Sequence, residues 1–537
     1  MRVFAPVPAR RAVEATPPDR DRVVDAARAV SLVVVVAGHG VIAVVAWPDG
    51  VPRLGNLLAA YPWTQALTWA LQVMPLFFVA GGAANALSWQ RHRGRGGSYA
   101  SWLWARADRL LRPAWVYLAV MSLIATVVTV VAPASTAEPL MVLVTQLLWF
   151  LGAYLLVTAL TPLFRPTTPV RAALVALGLL AACGLVDAAR FLWAVPEAIG
   201  LVNFVLVWTV PAYLGTLRAH GTAARYQSWQ VVAAMFAAVA TNAVLIRQGP
   251  WPVSMVGMPG EPVSNMAPPT VVLAIHSLVL ACLLTLLDAP LSRLMRRPAV
   301  WRKVTAVNLA AMTLYLWHLP VLVAVTTLGH YLALDRPVAL DSGGFPVPDG
   351  WGYAAGSVLF WTAYGVGVWA VIRLMWPFEH VPLWWWDTPP RSRAPSRGTA
   401  AWCAAVGTAG VGVATLVLSA TGLAGFPGRT IDYAGLPLNA AVAIAVLVGS
   451  GALIRWAGSP RVTGRGWPRR RCAAGTATRR GRRRGTAGRT WPGAAPARDR
   501  RPYGPRAPRP SPRRTTPAPV RARRTARAAR VPGPSAA

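Results

Sequence analysis

The sequence predicts an all-α protein that crosses a membrane many times. Of its 537 residues, 55% are hydrophobic and only 13% are charged, and the mean hydropathy is positive. This composition excludes an ordinary soluble domain. Apolar stretches long enough to span a bilayer recur twelve times. In an Ala-, Val- and Leu-rich chain such stretches are helices, because backbone polar groups inside lipid must be satisfied within the segment.

Twelve candidate spans follow one another along the chain. They cover residues 28–46, 66–88, 113–132, 140–162, 170–187, 198–216, 229–247, 269–287, 305–327, 354–376, 401–424 and 435–456. Loops after even-numbered spans are rich in arginine, as in 91–112, whereas loops after odd-numbered spans are acidic or nearly neutral. The positive-inside rule therefore predicts that both termini lie in the cytoplasm, and we expect a multi-pass protein of the plasma membrane.

Composition further divides the chain into five segments. They are a cytoplasmic N-terminal segment (1–22), a ten-span membrane domain (23–376), a cytoplasmic linker (377–400), two additional spans (401–456) and a tail (457–537). The tail contains 23 arginines and one aspartate, so it carries +22 of the formal net charge of +36. Because it has almost no aliphatic residues, we predict a disordered tail that lies against anionic lipid rather than one that binds a specific nucleic acid.

The composition gives no sign of a metal site, a disulfide framework or a cleaved leader. The four cysteines, Cys183, Cys282, Cys403 and Cys472, are far apart and form no C-x-x-C pair. The first 22 residues lack an apolar core, so we expect no cleavable signal peptide.

The first span carries the most informative polar residues. Arg28 and His39 lie in an otherwise aliphatic stretch, and Gly38 and Gly40 flank the histidine. A helix places His39 about 16 Å deeper than Arg28, near the middle of the bilayer. Ionisable groups at such depth are candidates for function; the alternative is a histidine that only hydrogen-bonds a neighbouring helix. For His276, in another span, that structural alternative is favoured.

Three further stretches combine polar residues with features suited to a ligand. In the second span Pro75 precedes an aromatic pair, two glycines and Asn85, although close helix packing also explains the glycines. Arg106, Arg109 and Arg112 recur every third residue on a helix leading into the third span. They suit phosphate groups, or they serve only as an orientation signal. The ninth span contains Tyr315, Trp317, His318 and Pro320.

In these motifs the chain resembles the acyltransferase-3 family of membrane-bound O-acyltransferases. Arg28 and His39 match a basic residue followed by ten residues and a histidine, and Pro75 to Phe78 match the signature of the second span. Arg106 with Arg109 matches an R-x-x-R element, and residues 315–320 match Y-L-W-H-x-P. The chain departs from the family at Ala80, where a serine is usual, and in its two additional spans.

The resemblance implies an acyltransferase that uses acyl-CoA, by expectation acetyl-CoA, as its donor and binds no cofactor or metal. Arg106 and Arg109 would hold the donor phosphates, with Arg28 beside them, and His39 would act as general base on an acceptor hydroxyl. The acceptor would be a glycan, a glycolipid or a small metabolite of the cell envelope. Asn85, Tyr315 and His318 would orient the acceptor or stabilise the oxyanion. No residue decides between direct transfer and an acyl-enzyme.

A secondary transporter is the main alternative, because twelve helices with cytoplasmic termini also describe many carriers. Transporters, however, often contain related halves, and residues 1–220 show no such relation to 221–456. A sensory or binding membrane protein is a third possibility.

Overall fold

The computed structural model describes residues 9–17, 20–193, 195–258, 261–387, 395–423, 430–433 and 436–459. The prediction of disorder for the tail concerns residues that lie, from 460 onward, outside the described part of the chain. Within the described part, helices dominate. They are α1 (Ala9–Glu14), α2 (Arg22–Ile42), α3 (Leu57–Ala60), α4 (Thr68–Leu71), α5 (Met74–Gly94), α6 (Tyr99–Val131), α7 (Ala134–Thr145), α8 (Leu148–Leu160), α9 (Pro169–Leu192), α10 (Asn203–Ala219), α11 (Ser228–Gln248), α12 (Val271–Leu286), α13 (Asp288–Met295), α14 (Pro298–Leu309), α15 (Ala311–Tyr331), α16 (Gly350–His380), α17 (Trp384–Asp387), α18 (Arg397–Thr421) and α19 (Ala440–Gly458).

The predicted all-α membrane bundle is confirmed. Eleven described helical segments are long and apolar enough to cross a membrane. The α12–α13 pair, bent by 60°, makes a twelfth. Two of the spans are broken: α4 ends before α5 begins, and α7 ends before α8 begins. These segments correspond in order to the twelve predicted spans.

Three short antiparallel hairpins follow the first, ninth and eleventh spans along the chain. Their strands are β1 (Ala43–Ala46), β2 (Arg53–Asn56), β3 (Val338–Leu340), β4 (Pro346–Pro348), β5 (Thr430–Tyr433) and β6 (Leu436–Asn439). The first predicted span was therefore too long, because Ala43–Ala46 pairs with Arg53–Asn56 instead of continuing the helix. The last span begins later than predicted, because Asn439 caps α19 through hydrogen bonds from the backbone N–H groups of Ala441 and Val442.

Glycines allow the helices of the core to touch backbone to backbone. A Cβ atom at Gly82 on α5 would lie 2.0 Å from the carbonyl oxygen of Ala212 on α10. A Cβ atom at Gly215 on α10 would lie equally close, 2.0 Å, to the carbonyl oxygen of Val79 on α5. Close helix packing, the alternative explanation for the glycines of the second span, therefore accounts for Gly82. The same contact fixes α5 against α10.

The two additional helices pack closely on the rest of the bundle. A Cβ atom at Gly152 on α8 would lie 2.1 Å from the Thr415 hydroxyl on α18. A Cβ atom at Gly458 on α19 would lie 2.2 Å from the Cβ atom of Trp104 on α6. Helices α18 and α19 therefore form part of the same core as α6 and α8.

Candidate active site

Helix α2 presents Arg28 and His39 along one stripe. The helix begins where the Asp21 carboxylate caps it, accepting hydrogen bonds of 3.1 Å from the backbone N–H groups of Val23 and Val24. Eleven residues at 3.6 per turn bring the two side chains to within about 20° of each other around the helix axis. Because α2 ends at Ile42, His39 lies in its last turn rather than at the middle of the helix.

The His39 side chain contacts the side chain of His318, which lies on α15. The His39 Nδ1 and His318 Nε2 atoms are 3.1 Å apart, and the ring centroids are 5.2 Å apart. His318 is completely buried, with 0% of its surface exposed, whereas His39 is only partly buried. The structure therefore joins two of the predicted site residues and makes His39 the more accessible of them.

Hydrogen bonding fixes the tautomer of this histidine pair. His318 Nδ1 lies 3.0 Å from the Leu314 carbonyl oxygen and 2.8 Å from that of Tyr315. Carbonyl oxygens only accept, so in the neutral pair the proton of His318 is on Nδ1 and its Nε2 accepts from His39 Nδ1. The proton of His39 is then on Nδ1. The Nε2 atom of His39 is left with a lone pair, which a general base requires.

The surroundings of His39 are closed on one side and open on the other. At Gly40 a Cβ atom would lie 2.7 Å from the Trp361 ring of α16, so this glycine admits a large aromatic side chain. The Tyr364 hydroxyl, also on α16, donates to the Val36 carbonyl at 3.2 Å. At Gly38 a Cβ atom would meet no other atom within 4 Å. Open space thus lies next to Gly38, the residue that precedes His39.

A buried carboxylate, missed by the sequence analysis, holds the helix that carries His318. Glu379 of α16 is 3% exposed. Its Oε2 accepts from the Thr313 hydroxyl at 2.6 Å, and its Oε1 accepts from Trp317 Nε1 at 3.1 Å. The sequence signal that could have identified Glu379 is an acidic residue just beyond the predicted end of the tenth span. In the structure the helix of that span, α16, continues to His380.

Unpartnered polar atoms gather near the Arg28 end of the stripe. The Nε atoms of Arg28 and Arg106 and the hydroxyl of Ser31 are buried and have no hydrogen-bond partner among the described residues. Arg28 and Arg106 interact electrostatically, and the Arg28 guanidinium lies 5.7 Å from the centre of the Phe77 ring. Ser31 is one turn beyond Arg28, and its side chain is completely buried. Arg106 also donates to the Ser88 hydroxyl, but two like charges that each retain an unsatisfied Nε–H suit an anionic ligand.

The remaining predicted residues take different positions. Arg109 is exposed on α6, although it is close enough to interact electrostatically with Arg106. The Asn85 amide donates to the Thr158 hydroxyl on α8 at 2.9 Å. The Tyr315 hydroxyl donates to the Leu147 carbonyl, at the break between α7 and α8. In this structure Asn85 and Tyr315 therefore bind other helices.

His276 is fully buried on α12 at the edge of the Trp69 ring, with centroids 6.0 Å apart. No hydrogen bond to either ring nitrogen occurs within the described ranges. Among the described residues, no group of three His, Cys, Asp or Glu side chains is placed to hold a metal ion.

Comparison with known proteins gives one match. The acyltransferase-3 family model, described as "Acyltransferase domain", matches residues 21–380. These residues include every predicted site residue and Glu379. Curated proteins and solved structures gave no significant match to this chain.

Proposed function

The chain belongs to the acyltransferase-3 family, and from that premise we propose that it moves an acyl group, by expectation acetyl, from acyl-CoA to a hydroxyl group. The acceptor class is a glycan, a glycolipid or a small metabolite. The observation that carries the proposal is the His39–His318 pair, which leaves the Nε2 atom of the partly buried His39 side chain unprotonated.

The donor is proposed to lie along the stripe of α2. Arg28 and Arg106 would bind the phosphate groups of CoA with the Nε–H donors that are otherwise unsatisfied. The pantetheine arm would then extend past Ser31 toward His39, over the rise of about 16 Å between Arg28 and His39. Exposed Arg109 would add charge at the entrance.

The transfer step balances with one proton. His39 Nε2 takes the proton of the acceptor hydroxyl as its oxygen attacks the thioester carbonyl carbon. The tetrahedral intermediate then collapses and the C–S bond breaks. The departing CoA sulfur receives the proton from His39. During the step, His318 Nε2 accepts from the Nδ1–H of the His39 imidazolium and keeps the ring in place. General base catalysis of this kind typically contributes about 10²- to 10⁴-fold.

The decisive experiment is turnover of radiolabelled acetyl-CoA by purified protein with candidate sugar acceptors. His39→Ala is expected to lower the rate by at least about 100-fold. His276→Ala, which removes another buried intramembrane imidazole, is the matched control and should retain activity. Full activity of a well-expressed His39→Ala variant would exclude the general-base role.

The same preparation tests the alternative function. Family membership favours an enzyme over a secondary transporter. In sealed vesicles, counterflow of a candidate substrate without any acyl transfer would reverse that preference. Reporter fusions at both termini test the proposed orientation in the plasma membrane, with each terminus expected on the cytoplasmic side.

A further inference from the structure

A polar cavity, lined by none of the proposed active-site residues, lies where α9 begins and α10 ends. Its volume is about 310 Å³. Thr167, Thr168, Arg171, His220, Thr222 and Arg225 line it together with Pro166. We call it the α9–α10 cavity. Its two arginines, one histidine and three threonines offer many hydrogen-bond donors, and no carboxylate is part of the lining.

The wall of the α9–α10 cavity is held by hydrogen bonds between its two sides. The Thr222 hydroxyl donates to the Thr167 carbonyl at 3.3 Å, and the Tyr226 hydroxyl donates to the Pro169 carbonyl at 2.6 Å. The Thr168 hydroxyl caps α9 by accepting from the backbone N–H of Arg171 at 3.4 Å. The segment after α10 is therefore tied to the start of α9, and the cavity does not depend on a loose loop.

His220 contributes to the cavity lining an imidazole whose hydrogen-bonding capacity is not fully used. Its Nδ1 atom is buried and has no hydrogen-bond partner within the part of the chain that the structure describes. Burial also lowers the pKa of His220. An anion against the ring would offset that effect, since a nearby negative charge favours the protonated imidazole.

Nearby carboxylates are already engaged elsewhere. Arg218, two residues before His220, binds Asp21 at 2.9 Å and Asp288 at 2.5 Å. These carboxylates neutralise Arg218 but not the cavity arginines. The same ion pairs connect the end of α10 to the cap of α2, the helix that carries Arg28 and His39.

We propose that the α9–α10 cavity binds a phosphate group. Paired guanidinium donors, an imidazole and hydroxyl groups are the chemistry by which proteins recognise phosphate. The group comes either from a soluble phosphate compound or from the headgroup of an anionic lipid. This site shares no residue with the proposed donor site, and it does not depend on acyl transfer.

Binding of [³²P]orthophosphate to the detergent-solubilised full-length protein tests a soluble source. The wild type should bind it saturably. Arg171→Ala/Arg225→Ala should weaken the affinity at least about tenfold, because two charge-assisted contacts are lost. Arg293→Ala/Arg302→Ala removes the same charge from exposed positions outside the cavity and should bind as the wild type does. If the double cavity variant folds poorly, Arg225→Ala alone should weaken binding about three- to tenfold.

Nanodiscs of phosphatidylcholine with and without phosphatidic acid test the lipid source. Phosphatidic acid should raise the apparent Tm of the wild type and of the control variant, but not that of the cavity variant. Selective loss in either arm supports the site and identifies its source. Absence of saturable binding in both arms, or an equal loss in the control variant, would overturn the proposal.

Discussion

His39 owes its free basic nitrogen to a residue on another helix. His318 donates from Nδ1 to backbone carbonyls of its own helix and therefore accepts at Nε2. It thereby fixes the proton of His39 on Nδ1, the nitrogen that faces His318. In the proposed reaction His318 is thus a positioning residue.

His318→Ala should lower kcat about 10- to 100-fold while leaving the KM for acyl-CoA nearly unchanged. The reason is the loss of one hydrogen bond to a group that becomes charged, about 1.5–3 kcal/mol in the transition state. His318→Gln keeps an oxygen able to accept from His39 Nδ1 and should recover part of the rate. Steady-state kinetics of purified variants measure both constants. A purely structural role would lower the yield of folded protein in both variants without this split between kcat and KM.

Ser31 provides a test at the donor end of the same stripe. Its hydroxyl is buried and has no partner among the residues described, so a ligand that passes Arg28 would gain a hydrogen bond there. Ser31→Ala should weaken CoA binding about three- to tenfold. It should leave the binding of adenosine 3′,5′-bisphosphate, which lacks the pantetheine arm, unchanged.

Ser277→Ala is the matched control for Ser31→Ala. Ser277 is also buried, but its hydroxyl already donates to the Ala274 carbonyl at 2.6 Å. The measurement is equilibrium binding of CoA and of adenosine 3′,5′-bisphosphate to the wild type, Ser31→Ala and Ser277→Ala. An equal loss for the two ligands in Ser31→Ala would show that the serine supports the helix and not the pantetheine arm.

For individual side chains, the sequence could predict which residues share one face of a helix. It could not predict their partners on other helices. The spacing of Arg28 and His39 alone places them on one stripe. His39 and His318 are separated by 279 positions, and no local pattern reports such a contact. The sequence did not identify Ser31, because a serine in an apolar helix is common. Only the absence of a hydrogen-bond partner distinguishes it.

At the scale of elements, the break between α7 and α8 connects the core to an additional helix. The Leu147 carbonyl accepts from the Tyr315 hydroxyl of α15, and the Gln146 carbonyl accepts from the Ser419 hydroxyl of α18. Within a membrane, free carbonyls at a helix break need such partners. Helix α18 lies beyond the matched residues 21–380, yet it completes the hydrogen bonding of a span inside them.

Glu379 joins α15 to α16, so its removal should destabilise the fold. Glu379→Ala leaves the Thr313 hydroxyl and the Trp317 indole N–H buried without their acceptor, at a cost of about 2–5 kcal/mol. Glu379→Gln keeps an oxygen for Trp317 and an amide that donates to Thr313, and it should cost about 1 kcal/mol or less. Thermal unfolding in detergent measures the two variants against the wild type. Equal stability of wild type and Glu379→Ala would contradict the assigned role.

The hairpins show why element boundaries were harder to predict than elements. Ala43–Ala46 is as apolar as the helix before it, so hydropathy continued the first span through it. Its pairing with Arg53–Asn56 depends on a turn that includes Pro48 and Asp49, the latter with a positive φ of 52°. Span existence follows from length and composition, whereas span ends follow from caps and from strand pairing.

For the whole molecule, hydropathy gave the correct order of spans because lipid imposes a strong constraint on the length and composition of a spanning segment. It could not report how the last two spans attach. Gly152 on α8 meets Thr415, and Gly412 on α18 meets the Leu156 side chain, with 2.5 Å from an added Cβ atom to its nearest carbon. Such contacts depend on surfaces that come from distant parts of the sequence.

Two truncations separate the contribution of the last helices from that of the tail. Deleting residues 460–537 removes an Arg- and Pro-rich segment that lies beyond the matched residues 21–380, so acyl transfer and the yield of monodisperse protein should stay within about twofold of the wild type. Deleting residues 397–537 also removes α18 and α19. It exposes the glycine surface of α8 and leaves the Gln146 carbonyl without Ser419, at a cost of about 1–3 kcal/mol for that group alone. We expect a large loss of folded protein and of activity, measured by gel filtration and acetyl-CoA turnover. Normal activity of the shorter chain would show that residues 21–380 are sufficient, and that α18 and α19 only cover a core that is complete without them.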